Sequence, residues 1–215
     1  MQSISVSWVD FVVVGALGFG LWRGRKRGMS EEFLDIVKWI VTVIAAGFLY
    51  QPLGQLLSQS TSVVSTLACY IGVYLALVLI IAIAFSYIKR GVGEKLSGSD
   101  AFGSAEYYLG MISGTFRYAC IVIVAFSFLN ARAYSPEEIK ASEKYQLDNF
   151  GSSFFLTLPD LQREVFSQSV SGRTVREYLG FALIQPTAPG GKQLGGANNI
   201  AHARERSVYE VLDKK

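Results

Sequence analysis

The fold class predicted for this chain is an all-α membrane protein: four transmembrane helices followed by a partly helical, partly disordered C-terminal tail. Three observations predict it. Apolar residues make up 51% of the 215 residues and charged residues only 17%, against about a quarter in ordinary soluble domains. The charges are unevenly spread. Of 20 Lys+Arg and 17 Asp+Glu, 9 and 7 fall in residues 1–130, which leaves 11 and 10 for the shorter stretch 131–215. Finally, Val63 to Ile88 is a run of 26 residues without a charge.

Taken in order, the first expected span is 4–22, diluted at its outer end by Ser5, Ser7 and Asp10. Residues 1–22 hold no Lys or Arg, whereas a cleaved signal peptide begins with a basic segment. The span is therefore expected to stay in the protein. The second, 33–50, confines Asp35 and Lys38 to its first turns. The third is 63–88. About 20 apolar residues cross a hydrocarbon core near 30 Å as a helix, and an open strand there would leave its backbone unpaired in lipid. The fourth, 108–129, is interrupted only by Arg117. A central charge costs roughly 2.5–3.5 kcal/mol, while each Leu, Ile, Val or Phe returns about 0.3–0.6. Ten such residues favour insertion by a narrow margin.

In the tail, 131–215, Ser135-Pro136-Glu137-Glu138 carries the marks of a helix start: an N-cap, a Pro and first-turn acids. That helix is expected to reach about Leu147. Further short amphipathic helices are expected from Pro159 through Phe166 and from Thr174 to Leu183. From about 186 the Pro- and Gly-rich sequence predicts a flexible end. So few apolar residues predict no independent domain.

Orientation follows from two basic loops, one with Arg23, Arg25, Lys26 and Arg27, the other with Lys89, Arg90 and Lys95; residues 51–62 carry no positive charge. By the positive-inside rule, loops 23–32 and 89–107 are cytoplasmic and both ends of the chain lie outside. Besides the bilayer itself, anionic lipid is an expected partner of the first basic loop. A homo-oligomer or an envelope protein are further candidates. The net charge of +3 is too small and dispersed to argue for nucleic acid.

No enzyme is expected. Cys69 and Cys120 lie in apolar runs without ligand-spaced partners, and the single His202 stands alone in the tail. There is no phosphate-binding glycine loop, H-E-x-x-H helix or nucleophile elbow, and no cofactor or metal is implied. Glu31-Glu32 and Glu137-Glu138 resemble solvated helix starts.

Three intramembrane features suggest roles. Ala16, Gly20, Gly24 and Gly28 step by four along one helix face, as Gly110 and Gly114 do in the fourth span. Such ladders let backbones approach closely, and internal packing is expected ahead of self-association. Gly24 and Gly28 are also candidates for turn residues in the basic loop. Glu31, Asp35, Lys38 and Thr42 form a polar stripe, either a helix contact with a local Asp35–Lys38 pair or a wet vestibule. Arg117 lies deep enough to need a partner, and Asp10 is the partner expected on depth. The pair is either a structural tie or part of an ion or proton pathway.

These residues resemble the colicin V production protein family. Trp8-Val9-Asp10 is similar to its opening W-x-D. Arg23-Gly24, Arg27-Gly28, Glu32 and Trp39 reproduce its R-G-x-x-R-G-x-x-x-E…W spacing. Leu96 to Asp100, then Leu109-Gly110, Gly114 and Arg117, resemble a second signature in which L-S-G-x-D leads into L-G-x-x-x-G-x-x-R. Two departures are visible: Glu106-Tyr107 stands where the family has D-R, and Tyr118 replaces a Gly. The resemblance covers roughly 8–130. It implies a multi-pass bacterial inner-membrane protein linked to colicin V production or export and to envelope homeostasis. The role expected for the bundle is a scaffold or partner-binding module. The alternative is a small channel or transporter subunit with a path past Asp10, Lys38 and Arg117. The family is also similar to the membrane portion of some periplasmic serine proteases, which agrees with a C-terminus outside.

Overall fold

The computed structural model describes residues 6–60, 64–97, 103–150 and 157–188. Expectations concerning Asp100, His202 and the Gly-rich end fall outside them. Among the described residues six α-helices occur: α1 (Trp8–Ser60), α2 (Thr66–Ser97), α3 (Glu106–Asn130), α4 (Pro136–Phe150), α5 (Leu158–Arg163) and α6 (Val170–Tyr178). The stretches Trp8–Ser60, Thr66–Gly91 and Glu106–Asn130 are each long and apolar enough to cross a membrane.

At 1.5 Å per residue, the 53 residues of α1 would extend about 80 Å if straight. They are not straight. Gly28 has φ 75° and ψ 170°, a left-handed conformation that a Cβ disfavours, and it divides α1 into a first arm (8–27) and a second arm (29–60). The expected spans 4–22 and 33–50 thus lie on either side of one glycine. The expected basic loop is helix almost throughout, interrupted only there.

The glycine ladder explains how the first arm meets α3. A Cβ on Gly20 would stand 2.7 Å from the Gly114 carbonyl oxygen, and one on Gly110 would stand 2.6 Å from that of Gly24. Gly24 likewise faces Gly110, and Gly28 faces Glu106. Rising numbers on one helix meet falling numbers on the other, so the two run antiparallel with their backbones in contact. The second arm packs antiparallel on α2: Gly54 meets Tyr70 near one end, and Asp35 meets Lys89 near the other.

The main core lies at the end of the bundle opposite Gly28. Tyr50 meets the rings of Tyr70 and Tyr74 edge-on, and Tyr74 meets Phe128 in the same way. Cys69 and Cys120 are buried and unpaired there. Large apolar side chains such as Phe11, Leu79, Ile80, Ile112 and Phe116 point outward, as a lipid-facing surface requires.

The tail is more ordered than its composition suggests. Ser135 and Glu138 cap α4 reciprocally at 3.1 Å each. Residues 157–188 fold back onto the bundle instead of hanging free, and Val165, Phe166, Leu183 and Ile184 are buried in the process. Backbone hydrogen bonds link Ala131 and Ala133 to Thr187. The helix expected from Pro159 to Phe166 is α5 followed by a π-helical turn, Glu164–Gln168. The one expected from Thr174 to Leu183 begins earlier, at Val170, and ends in a 3-10 turn, Gly180–Ala182.

The Gly24→Ala variant should therefore lose about 1–3 kcal/mol through forced separation of the backbones. Gly72→Ala, where no atom stands within 4 Å of an added Cβ, should change stability by no more than about 1 kcal/mol. Melting of the purified protein in detergent, followed by circular dichroism, measures both. Equal responses would refute the close-approach argument.

Candidate functional site

Glu32 and Asp35 lie one turn apart on the second arm, so their side chains share a face. Glu32 is completely buried and Asp35 nearly so. Isolated carboxylates in such a place cost several kcal/mol each unless paired and hydrogen-bonded. Cations from every neighbouring segment supply the pairing. From α3, Arg117 Nη1 donates to Glu32 Oε2 at 2.8 Å, Glu32 Oε1 at 3.1 Å and Asp35 Oδ2 at 3.3 Å. Lys89 of α2 reaches Asp35 Oδ2 at 3.2 Å, and Lys38 reaches Asp35 Oδ1 at 3.1 Å. Arg27, at the end of the first arm, lies 3.5 Å from Glu32 and 3.8 Å from Asp35. Two carboxylates and four cations thus join both arms of α1 to α2 and α3.

The turn beside this cluster is braced in a related way. Glu106 Oε1 accepts from the Ser30 backbone N–H at 3.4 Å, placing negative charge at the start of the second arm, where the helix dipole favours it. Glu106 stands at the acidic position of the D-R signature. Its neighbour Tyr107, at the basic position, receives the Arg25 guanidinium over its ring at 4.8 Å. Lys26 lies 4.0 Å from the Trp22 ring centroid. Arg25 and Lys26 are otherwise exposed, and Arg23 is partly buried.

Asp10 does not pair with Arg117. About 17 residues separate it from Arg27 along the first arm, roughly 25 Å at helical rise. Its carboxylate accepts from the backbone N–H groups of Ser7 at 3.0 Å, Val170 at 3.1 Å and Ser171 at 2.8 Å, and from the Ser171 hydroxyl at 2.6 Å. It thereby closes the start of α1 and occupies the N-terminal end of α6, an anion position by helix electrostatics. Ser7 donates to Glu164 at 2.6 Å nearby. The partner of Arg117 is Glu32, which composition alone grouped with Glu31 as a solvated helix start. One helical step separates them: Glu31 is exposed and Glu32 is not.

Of the polar stripe, Asp35 and Lys38 enter the cluster. Thr42 is buried and donates to the Lys38 carbonyl at 2.8 Å, and Glu31 faces outward. Trp39 packs against the main core, while Trp8 is half exposed. Residues that sequence reasoning missed are Lys89 and Glu106 as partners, and Tyr50, whose hydroxyl accepts from the Gln185 N–H at 3.0 Å. The signal available for Glu32 was its i, i+3 relation to Asp35. Among the described residues, no group of three His, Cys, Asp or Glu side chains is arranged to hold a metal ion. The cluster can hold the helices in register, because its charges come from both arms of α1, from α2 and from α3.

Arg117→Ala leaves Glu32 buried beside the more distant Arg27, and should cost about 3–5 kcal/mol. Lys89 is 45% exposed, so Lys89→Ala should cost less than about 1 kcal/mol. Denaturation of both variants in the same detergent checks the ranking, and a reversed order would exclude Arg117 as the principal counter-charge.

Comparison with known proteins identifies the family. Residues 9–149 match the family described as Colicin V production protein. A relative from Haemophilus influenzae, named as a colicin V production protein homolog, is 27% identical over 124 residues, covering 57% of this chain and 75% of its own. No solved structure matches. Arg27, Gly28, Glu32, Gly110, Gly114 and Arg117 lie where the first arm, the second arm and α3 meet, and the chain belongs to the colicin V production protein family.

Proposed function

We propose that this protein is a four-span, non-enzymatic scaffold or partner-binding module of the bacterial inner membrane, supporting colicin V production or export and envelope homeostasis. The observation that carries the reading is the engagement of both buried carboxylates, with Glu32 and Asp35 each held by cations from other segments. A cluster so engaged fixes helices in place and presents the outer surfaces as a rigid platform. The turn at Gly28 supports two crossings by α1, which together with α2 and α3 make four. In that arrangement Arg25, Lys26 and Arg90 lie at one end of the bundle, while the start of α1, the end of α3 and the returning tail lie at the other. The positive-inside rule then assigns the basic end to the cytoplasm and the tail to the outside. Arg25, Lys26 and Arg90 are exposed, suited to anionic headgroups or a cytoplasmic partner.

The rival reading is a small channel or transporter subunit. Partial exposure of Lys89 and Arg27 favours it, since polar groups then rim the cluster. Purified protein in liposomes distinguishes the two. The scaffold reading expects no proton or potassium flux under imposed gradients, and flux abolished by Arg117→Ala would overturn it. Reporter fusions at Gly54 and Lys215 should signal outside and one at Gly93 inside. A cytoplasmic signal at Lys215 would overturn the orientation.

A further inference from the structure

Where α3 ends and the tail folds back, the protein forms an open pocket of about 320 Å³. Its wall carries three arginines, Arg132, Arg163 and Arg176, and no acidic side chain. Two carboxylates stand behind the wall: Glu138 lies 3.3 Å from Arg132 and Asp160 lies 3.5 Å from Arg163. Arg176 has no carboxylate partner among the described residues. Three positive charges against two negative leave an excess of one. Nε of Arg132 is buried without a hydrogen-bond partner, a costly condition for a guanidinium N–H.

The site is built before any ligand arrives. Gln162 in the wall donates to the carbonyls of Leu129 and Arg132 at 2.9 Å each, tying α5 to the end of α3. Asn130 donates to the Ile184 carbonyl at 3.0 Å and ties in the returning tail. The Arg132 guanidinium lies over Tyr134 at 4.8 Å and that of Arg176 over Phe166 at 5.9 Å, which orients Arg132 in part, while Arg163 and Arg176 are exposed and free to close on a ligand. Clustered guanidinium forks match the oxygens of phosphate. The setting narrows the ligand further. Asn130 is the last residue of an apolar helix, and Leu158, beside the wall, is exposed. The pocket therefore sits where chain leaves the apolar layer.

We propose that this pocket binds a phosphate group, delivered either as the headgroup of an anionic phospholipid or as a free phosphoanion. The test uses the full chain in mild detergent and the double variant R163Q/R176Q, whose two arginines lie outside the Glu32 cluster. One arm titrates phosphatidylglycerol by native mass spectrometry, with phosphatidylcholine as the reference. The other titrates inorganic phosphate by calorimetry at constant ionic strength. In at least one arm the wild type should bind about tenfold more tightly than the variant. A difference with phosphatidylglycerol alone identifies a lipid headgroup, and one with phosphate alone a free anion. A difference in both assigns recognition to the phosphate group itself. The basic end of the bundle also attracts anionic lipid, so only the difference between wild type and variant counts. Equal binding by the two proteins in both arms, or no binding in either, overturns the proposal. Unchanged melting of the variant verifies that it is folded. If it melts early, R176Q alone, at the arginine without an acidic partner, replaces it under the same criteria.

Discussion

A carboxylate with no access to solvent governs this molecule. Glu32 is shielded on every side, and its charge is tolerable only while guanidinium groups from two other segments stay within a few ångströms. In a bilayer, apolar side chains gain little by choosing one another over lipid tails, so hydrophobicity alone does not fix how helices align. An ion cluster does. Sliding α3 by one turn would carry Arg117 about 5.4 Å from its partner and strand a charge on each side. Register is therefore encoded in a few polar atoms rather than in the much larger apolar surface.

That cluster depends in turn on the absence of side chains elsewhere. The first arm and α3 touch through glycine backbone at Gly20, Gly24, Gly110 and Gly114, which brings the α3 axis close enough for one arginine to reach both carboxylates of the second arm. The turn at Gly28 places that arm within reach, and Glu106 on the Ser30 N–H just after the turn steadies it. Polar pairing and close packing here are a single constraint seen from two sides.

Much of this was legible in the sequence, for reasons that can be assigned. The long apolar runs identify themselves because lipid admits few other structures. The four-residue glycine steps in two separate segments point to one another because only such steps allow backbone contact. The partner of Arg117 was not legible by depth. Counting inward from the ends of the spans favours Asp10 and leaves Glu32 in the basic loop, whereas helix resumes directly after Gly28 and carries Glu32 into the bundle. Glu31 and Glu32 are alike in composition and neighbours in sequence, yet a rotation of about 100° puts one outside and the other at the centre. The docking of the tail was not legible from composition. The tail is polar on average, but Val165, Phe166 and Leu183 are gathered in one cluster, Ile184 joins the main core, and much of the docking uses backbone groups that composition does not describe.

The way residues 157–188 are held also bears on how the protein is made. They are among the later residues to leave the ribosome, and chains acquire structure largely from the N-terminus onward. Their attachments nevertheless reach back to Ser7 and Asp10 at the start of α1, to Tyr50 in the second arm, and to Ser127 and Asn130 near the end of α3. These points converge only when each earlier segment has come to rest in its proper direction. The docked segment is in effect a final inspection of the assembled bundle. A chain with a misplaced helix would leave it undocked, with backbone donors and apolar side chains uncovered in the form that quality-control proteases recognise.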